Sequence, residues 1–489
     1  MFTSSKLLKH FSIYIVGRIL SVLSSLALLP LFTKKLPQVE FGVVGILWLI
    51  IPISSRLMNM GVDAAVSLKF FKLKHEDLSN YLYNALFTTS LLALGMWLLL
   101  FFNIDWVKSI LDASMNKLIF NLLYLSIFFT VLSTMMLSFM QLAGKAWQNV
   151  IFTILPPIVT SAATFYLIIY VEPSYKSYII GMAFGNSIFG IFALIHFFRN
   201  YSFKYFKPSF KIIKGLLKIG IPILPGTLAG LILAAGDRFI IKHFLGLEAV
   251  AVYVYGYRFS EYLLNSIFQP FQKAFGPILL EKAAEDFKDA TEYCQKLNGR
   301  IIPFISIVVA GAIILFKDAM HFLSESTYAL SYTIFLVSLM GILLNSISSI
   351  YRSLFNHLER TDLNMVISVS CALLNVTLNL WLIPIYGIIA AAFTTVVSFL
   401  VTLGLSIHML NYFIHQKVRL NKLLIDILPF ALYILAIYLI DVTYATESTS
   451  LLSLYTSKIV AFSFFLIMTY SLSHELRKYI SEGYKYLYN

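Results

Sequence analysis

Charge is what this sequence has least of. Only 12% of its 489 residues are Asp, Glu, Lys or Arg, against 59% that are hydrophobic. A soluble domain carries about a quarter charged residues to keep its surface wetted. Most of this surface must therefore face something other than water. Cysteine is nearly missing as well, and Cys294 and Cys371 alone support neither a disulfide framework nor a metal centre. The histidines are scattered, and the chain has no phosphate-cradling glycine loop, metal-spaced histidine pair or nucleophile elbow. No enzyme, cofactor or metal is expected. Acid is the scarcer charge, so the net charge is +13. The basic residues are dispersed among short connections, which reads as membrane topology and not as a nucleic-acid surface.

What fills the chain is apolar stretches of about twenty residues, the length that spans a bilayer as helix. They lie near 11–33, 41–66, 81–103, 118–141, 148–171 and 178–198, then 216–240, 249–271, 301–320, 328–351, 363–384 and 387–411, with two more near 423–441 and 451–473. Backbone groups in lipid must be satisfied internally, which leaves helices or closed barrels, and runs this long without alternation mean helices. The expected fold is an all-α integral membrane protein of about fourteen transmembrane helices. Lys6 and Lys9 precede a first run too long for a signal-peptide core and lacking a small-residue cleavage site, so a retained first helix is expected.

Lysines and arginines fall on one side of the expected membrane by about three to one, which sets both termini in the cytoplasm. Two connections on that side stand out. Residues 199–218 carry six basic residues and no acid, and divide the chain near its middle. Residues 281–300 mix both signs, as an amphipathic surface helix does. The opposite connections are all short, so no extracytoplasmic domain is expected. A weak repeat lays FTKKLPQVEFGVVG (32–45) on IKHFLGLEAVAVYVYG (241–256), matching Leu36 with Leu245 and Phe41-Gly42 with Val250-Ala251. Parallel repeats of this kind are a transporter architecture. The expected organisation is an N-lobe at 1–203, a C-lobe at 204–415, and two added helices with a cytoplasmic tail at 416–489.

Ionisable groups inside lipid are costly and normally face a cavity or a partner. Arg18 lies in the first expected helix, and Arg56 and Asp63 lie near the end of the second, seven residues apart on one face. Arg258 and Glu261 share a face of the eighth helix at i, i+3, as a cavity pair or as a structural ion pair. Asp237 and Arg238 close the seventh and Arg352 the tenth, where simple interfacial anchoring is the plainer reading. Arg18 and Arg56 point to a water-filled, anion-accepting cavity, because a guanidinium donates two parallel bonds to a phosphate. Binding is expected at Arg18, Arg56, Arg258 and Arg352, and coupling or gating at Asp63, Asp237, Arg238 and Glu261. In GIPILPG (220–226), two prolines and two glycines loosen the start of the seventh helix, for movement or for static packing.

Three segments carry a family resemblance. NVTLNLWLIPIYGIIAAA (375–392) resembles the pattern N-x-x-L-N-x-x-L-I-P-x-x-G-x-x-G-A-A of oligosaccharide flippases, through Asn375, Leu378, Asn379, Leu382, Ile383, Pro384, Gly387, Ala391 and Ala392, with Ala390 where glycine is usual. NMGVDAAVSLKFFK (59–72) is similar to the family's second-helix ending, with Lys69 where arginine is commoner. GIPILPG through DRFIIKHFLGLEAVAVYVYGYRF (220–259) resembles the opening of the second lobe, including Asp237-Arg238, Gly246, Tyr253 and Arg258.

The resemblance covers about 1–415 and implies the multidrug/oligosaccharidyl-lipid/polysaccharide exporter fold: two six-helix lobes in a V, plus two helices. It further implies a plasma (inner) membrane flippase for polyprenyl-pyrophosphate-linked oligosaccharides, working by alternating access in surface polysaccharide assembly, with arginines receiving the pyrophosphate. Membrane lipid, a polysaccharide polymerase and glycosyltransferases are the implied partners. The rivals are a peptidoglycan-precursor flippase, a multidrug or cation antiporter of the same fold, and, less favoured, a polysaccharide polymerase or lipid-linked glycosyltransferase. An antiporter needs acids dominating its cavity, whereas here Arg18 and Arg56 come first.

Overall fold

The computed structural model describes residues 20–70, 73–112, 114–142, 146–358, 360–415, 417–446, 451–473 and 475–478. Among these residues the only regular secondary structure is helix, with no strand. The chain divides into two compact units, residues 1–251 and 252–489.

The first unit begins with α1 (Leu28–Lys35), α2 (Gln38–Asn59) and the short α3 (Val62–Lys69). The long α4 (His75–Phe102) follows, then α5 (Ile104–Ile110), α6 (Lys117–Leu142), α7 (Ala146–Tyr170) and α8 (Tyr175–Asn200). Next come the amphipathic α9 (Phe210–Gly220), α10 (Leu224–Ala235), and the first residues of α11 (Asp237–Glu285). The remainder of α11 opens the second unit, which continues with α12 (Phe287–Leu323), α13 (Ser331–His357), α14 (Thr361–Tyr386), α15 (Ile388–Phe413), α16 (Leu420–Thr446) and α17 (Leu451–Leu472).

Twelve helical segments among the described residues are long and apolar enough to cross a bilayer. One of them, 210–272, has 63 residues. At 1.5 Å per residue a straight helix of that length would reach roughly three times the hydrocarbon thickness. It is not straight. A 3-10 turn at Ile221–Ile223 interrupts it, and Gly246 inside α11 sits at φ 86°, ψ 176°, outside helical geometry. Two crossings result, and the run at 11–33 is only partly described, so the expected number of about fourteen agrees with the fold.

Local sequence explains these breaks. In GIPILPG, Pro222 and Pro225 cannot donate to the preceding turn, and the helix yields there to the 3-10 turn between α9 and α10. The basic connection at 199–218 becomes a short turn followed by α9, whose Ser209 accepts a bond from the Ile212 N–H at 3.4 Å as N-cap. Its lysines lie along a helix that buries Leu216 and Gly220. The mixed-charge stretch at 281–300 is the end of α11 and the membrane-proximal extension of α12, capped by Asp286 on the Lys288 N–H at 2.8 Å.

Packing is close where small residues allow it. In α8, Gly181 and Gly185 lie against Thr164 and Thr160 of α7, with hydroxyls 2.3 Å from where a β-carbon would stand. In the second unit α13 lies along α15, and the Ser348 and Ser406 hydroxyls meet at 3.1 Å. Gly387, at φ 70°, makes the turn from α14 to α15 in a region that side-chain-bearing residues rarely enter.

Candidate functional site: a charged pocket at a broken helix

The second crossing does not end where α2 ends. Met60 and Gly61 both adopt left-handed backbone, at φ 44° and 74°, and the chain resumes helical form at once as α3. The Asn59 side chain accepts the Asp63 N–H at 3.2 Å, satisfying one of the donors the new helix start exposes. The break turns the chain so that Arg56 Nη1 meets Asp63 Oδ2 at 3.1 Å. Opposite it, the backbone of Gly61 lies against Gly220 at the end of α9.

These elements enclose a pocket of about 180 Å³ lined by Arg56, Asp63, Ser67, Ser138 and Thr227, among others. The Arg56 side chain is 44% exposed and Asp63 24%. A pair so open contributes at most about 1 kcal/mol to stability. The guanidinium therefore keeps donors for a further acceptor. Ser67 and Thr227 spend their hydroxyl protons on Asp63 and Leu224 carbonyls respectively, and retain acceptor capacity.

Next along α2, on its other flank, lies a much larger and nearly wholly apolar cavity of about 800 Å³. Ile53, Leu57 and Met60 of the α2 segment, Leu92 and Met96 of α4, and Leu123 and Ile127 of α6 are among its walls. Ser54 and Tyr124 bring the few polar atoms.

The other expected residues separate into pairs and tethers. Arg18 lies outside the described residues. Arg238 is 2% exposed, and its Nη1 donates to the Gly45 carbonyl of α2 at 3.4 Å. With the neighbouring Asp237 also 2% exposed, this is a buried clasp rather than a group at the lipid–water boundary. Arg258 and Glu261 form an ion pair at 2.7 Å in the second unit. Arg352 reaches from α13 to α14, donating to Asn364 Oδ1 at 3.2 Å and Ser368 Oγ at 2.6 Å.

The motif at 375–392 has a structural part to play. Asn379 donates to Asn375 Oδ1 at 2.9 Å, Asn375 donates to Ser398 at 3.2 Å, and Thr394 donates to Asn379. Both asparagines are fully buried, and the chain of bonds fastens α14 to α15.

Sequence reasoning passed over a second charged cluster. Asp441 Oδ1 lies 3.1 Å from both Lys317 and Lys458, and Tyr332 donates to Oδ2 at 2.9 Å. Lys458 is fully buried. A lysine in the middle of an apolar run was the available signal, and Asp441 near the end of another run was its partner. The apolar cavity left no comparable signal, since no residue type marks an absence of packing.

The profile of the family described as polysaccharide biosynthesis protein matches residues 7–282, more than half of the chain. A lipid II flippase, MurJ, in an inward closed conformation superposes with a TM-score of 0.73 at 16% identity, covering 94% of this chain and 98% of that one. An inward-facing multidrug resistance MATE transporter of the MOP superfamily gives 0.64 at 14% identity, covering 82% and 96%. These likenesses show the fold. An uncharacterized membrane protein of Methanocaldococcus jannaschii is 25% identical over 228 residues, 45% of this chain, and the match spans only 44% of that relative's length.

Proposed function

The chain belongs to the polysaccharide biosynthesis protein family, and on that premise we propose that it is a flippase. It moves a polyprenyl-pyrophosphate-linked oligosaccharide from the cytoplasmic to the outer leaflet of the plasma membrane for surface polysaccharide assembly. The observation that carries this reading is the pocket at the α2–α3 break. It places an arginine with unspent donors beside hydroxyl groups, at a helix break within an apolar, membrane-spanning stretch. A pyrophosphate is the lipid-borne group whose oxygens match a guanidinium fork.

The mechanism follows from that chemistry. The pyrophosphate binds Arg56, displacing it in part from Asp63; Arg18, Arg258 and Arg352 are the other arginines we assign to substrate binding. Asp63, Asp237, Arg238 and Glu261 act in coupling or gating, because the three acids each hold or neighbour an arginine and Arg238 tethers its own segment to α2. Lobes at 1–203 and 204–415, with 416–489 appended, rock about the headgroup and expose it first inside and then outside. Both termini are cytoplasmic in this reading, and a polymerase and glycosyltransferases are its natural partners. The fold of the matched structures is that of transporters, in keeping with transport rather than catalysis.

The test is reconstitution of the full chain in liposomes with a fluorescent polyprenyl-pyrophosphate oligosaccharide, lipid II or a cationic dye as alternative cargo. Transfer of the oligosaccharide lipid, reduced at least tenfold by Arg56→Ala, supports the reading. Transfer of lipid II alone, or of the dye alone, replaces it with a precursor flippase or a drug exporter.

A further inference from the structure

At one end of the second unit, α12, α13, α16 and the close of α17 meet around buried polar groups that the hydrogen-bonding of the protein leaves unserved. Asn298 of α12 is fully buried, and among the described residues neither its amide oxygen nor its nitrogen has a hydrogen-bond partner. The Tyr351 hydroxyl of α13 lies close to that amide, though out of bonding geometry, and is likewise buried and unserved. Asp426 of α16 is 5% exposed, and its Oδ2 has no hydrogen-bond partner among the described residues. That oxygen lies 3.8 Å from where a β-carbon on Gly299, next to Asn298, would stand. Thr469 of α17 adds another orphaned, buried hydroxyl, one turn before Ser473, whose own hydroxyl reaches both the Gly299 carbonyl at 3.3 Å and the Asp426 carboxylate.

The charged groups around this cluster are engaged with one another instead. Glu475 takes Arg300 at 3.8 Å and Lys422 at 3.6 Å. Lys422, one turn from Asp426 on α16, is thereby aimed at Glu475, and no ion pair to Asp426 forms among the described residues. Cys294, one turn before Asn298, is buried and contributes only a thiol. A buried carboxylate whose nearest cation, Lys422, is paired elsewhere is costly, and buried amides and hydroxyls without partners add to that cost.

We propose that Asp426, Asn298, Tyr351 and Thr469 form a monovalent-cation site, occupied by Na⁺ or by a proton on Asp426. The donor set is all hard oxygen, as a small alkali ion prefers. A single carboxylate balances one positive charge, whereas a divalent ion calls for more carboxylates. The amide oxygen of Asn298 and the hydroxyls of Tyr351 and Thr469 supply neutral ligands for Na⁺, or a solvating ring for a protonated acid. The site joins four helices, so its occupancy is read by the relative set of α12, α13, α16 and α17. It stands apart from the substrate reading and supplies a source of drive whatever the cargo.

The test uses the purified full-length protein in detergent, without substrate. Thermal melting is followed in NaCl and in choline chloride at constant ionic strength, across pH 5 to 9, for wild type, Asp426→Asn, Asn298→Ala and Thr469→Val. If Na⁺ is the ligand, Na⁺ raises the wild-type melting temperature at fixed pH. Asp426→Asn then abolishes the rise, and the two milder variants shift its midpoint at least tenfold higher in Na⁺. If the proton is the ligand, NaCl and choline give the same curves. The wild type then melts higher at low pH, and Asp426→Asn is flat where the wild type slopes. Should Asp426→Asn fail to fold, Asn298→Ala and Thr469→Val decide alone, by displaced Na⁺ or pH midpoints. Equal Na⁺ and pH responses in all variants that fold would overturn the proposal and leave the cluster as a structural one.

Discussion

Gly61 and Gly220 touch backbone to backbone across 159 residues of sequence, more than half the length of the first unit. A β-carbon on Gly220 would stand 2.1 Å from the Met60 carbonyl oxygen, and one on Gly61 would stand 2.6 Å from that of Gly220. The two belong to the two helix breaks that frame the charged pocket. Each break is held open by the other, because neither segment can approach so closely with a side chain between them.

Gly220→Ala and Gly61→Ala should therefore each destabilise the protein by about 1–3 kcal/mol, Gly61 bearing backbone strain as well. Gly95→Ala is the control, since nothing lies within 4 Å of its β-position. That change should be neutral or stabilising by up to about 1 kcal/mol through helix propensity. Chemical or thermal unfolding in detergent measures all three.

Arg56→Ala is expected to cut transfer of the oligosaccharide lipid at least tenfold while lowering stability by no more than about 1 kcal/mol, given how open its ion pair is. Arg56→Lys should restore only part of the transfer, for an ammonium lacks the planar fork. Normal transfer by Arg56→Ala at matched expression removes the pocket from the substrate path.

Around Asp441 the asymmetry of the cluster sets the order of effects. Asp441→Asn leaves Lys317 and Lys458 facing each other without their carboxylate, and should cost about 3–5 kcal/mol. Lys458→Met leaves the Lys317–Asp441 pair intact and should cost clearly less. Melting temperatures in that order support the assignment, and the reverse order refutes it.

Asp112, in the connection before α6, gives a pH dependence of known sign. Burial pushes its carboxyl up, but bonds from Ser114 and Tyr175 outweigh this and hold it below the ordinary 3.8. Its share of stability is therefore present above that value and is lost as pH falls through the lowered one. Asp112→Asn should lower the melting temperature at pH 7, and the gap from wild type should close on acidification towards pH 3.

Much of this was legible in the sequence because lipid imposes simple rules. Apolar runs and the proline-rich break at 220–226 each act through their own neighbours. Arg56 and Asp63 were placed on one face of a continuous helix, yet their contact depends on the left-handed break at Met60-Gly61. Gly61 hinted at that break, but Met60 has no turn signature. Arg238 looked like a boundary anchor since nothing near it in sequence reveals Gly45 as its acceptor. Asn298 sits in a mixed-charge stretch where a polar residue excites no notice, and its burial arises only when four helices converge.

The buried Lys458 also constrains how the chain enters the membrane. A lysine a third of the way along α17 adds up to about 2.5–3.5 kcal/mol to the cost of inserting that helix alone. Asp441, on the preceding α16, lies 3.1 Å from it in the finished protein. The two helices are thus poor candidates for sequential release into lipid and good ones for partitioning together as a hairpin, already neutralised. A ribosome-stalled chain ending just after α17 should integrate efficiently, and the same chain carrying Asp441→Leu should leave α17 lingering at the insertion machinery.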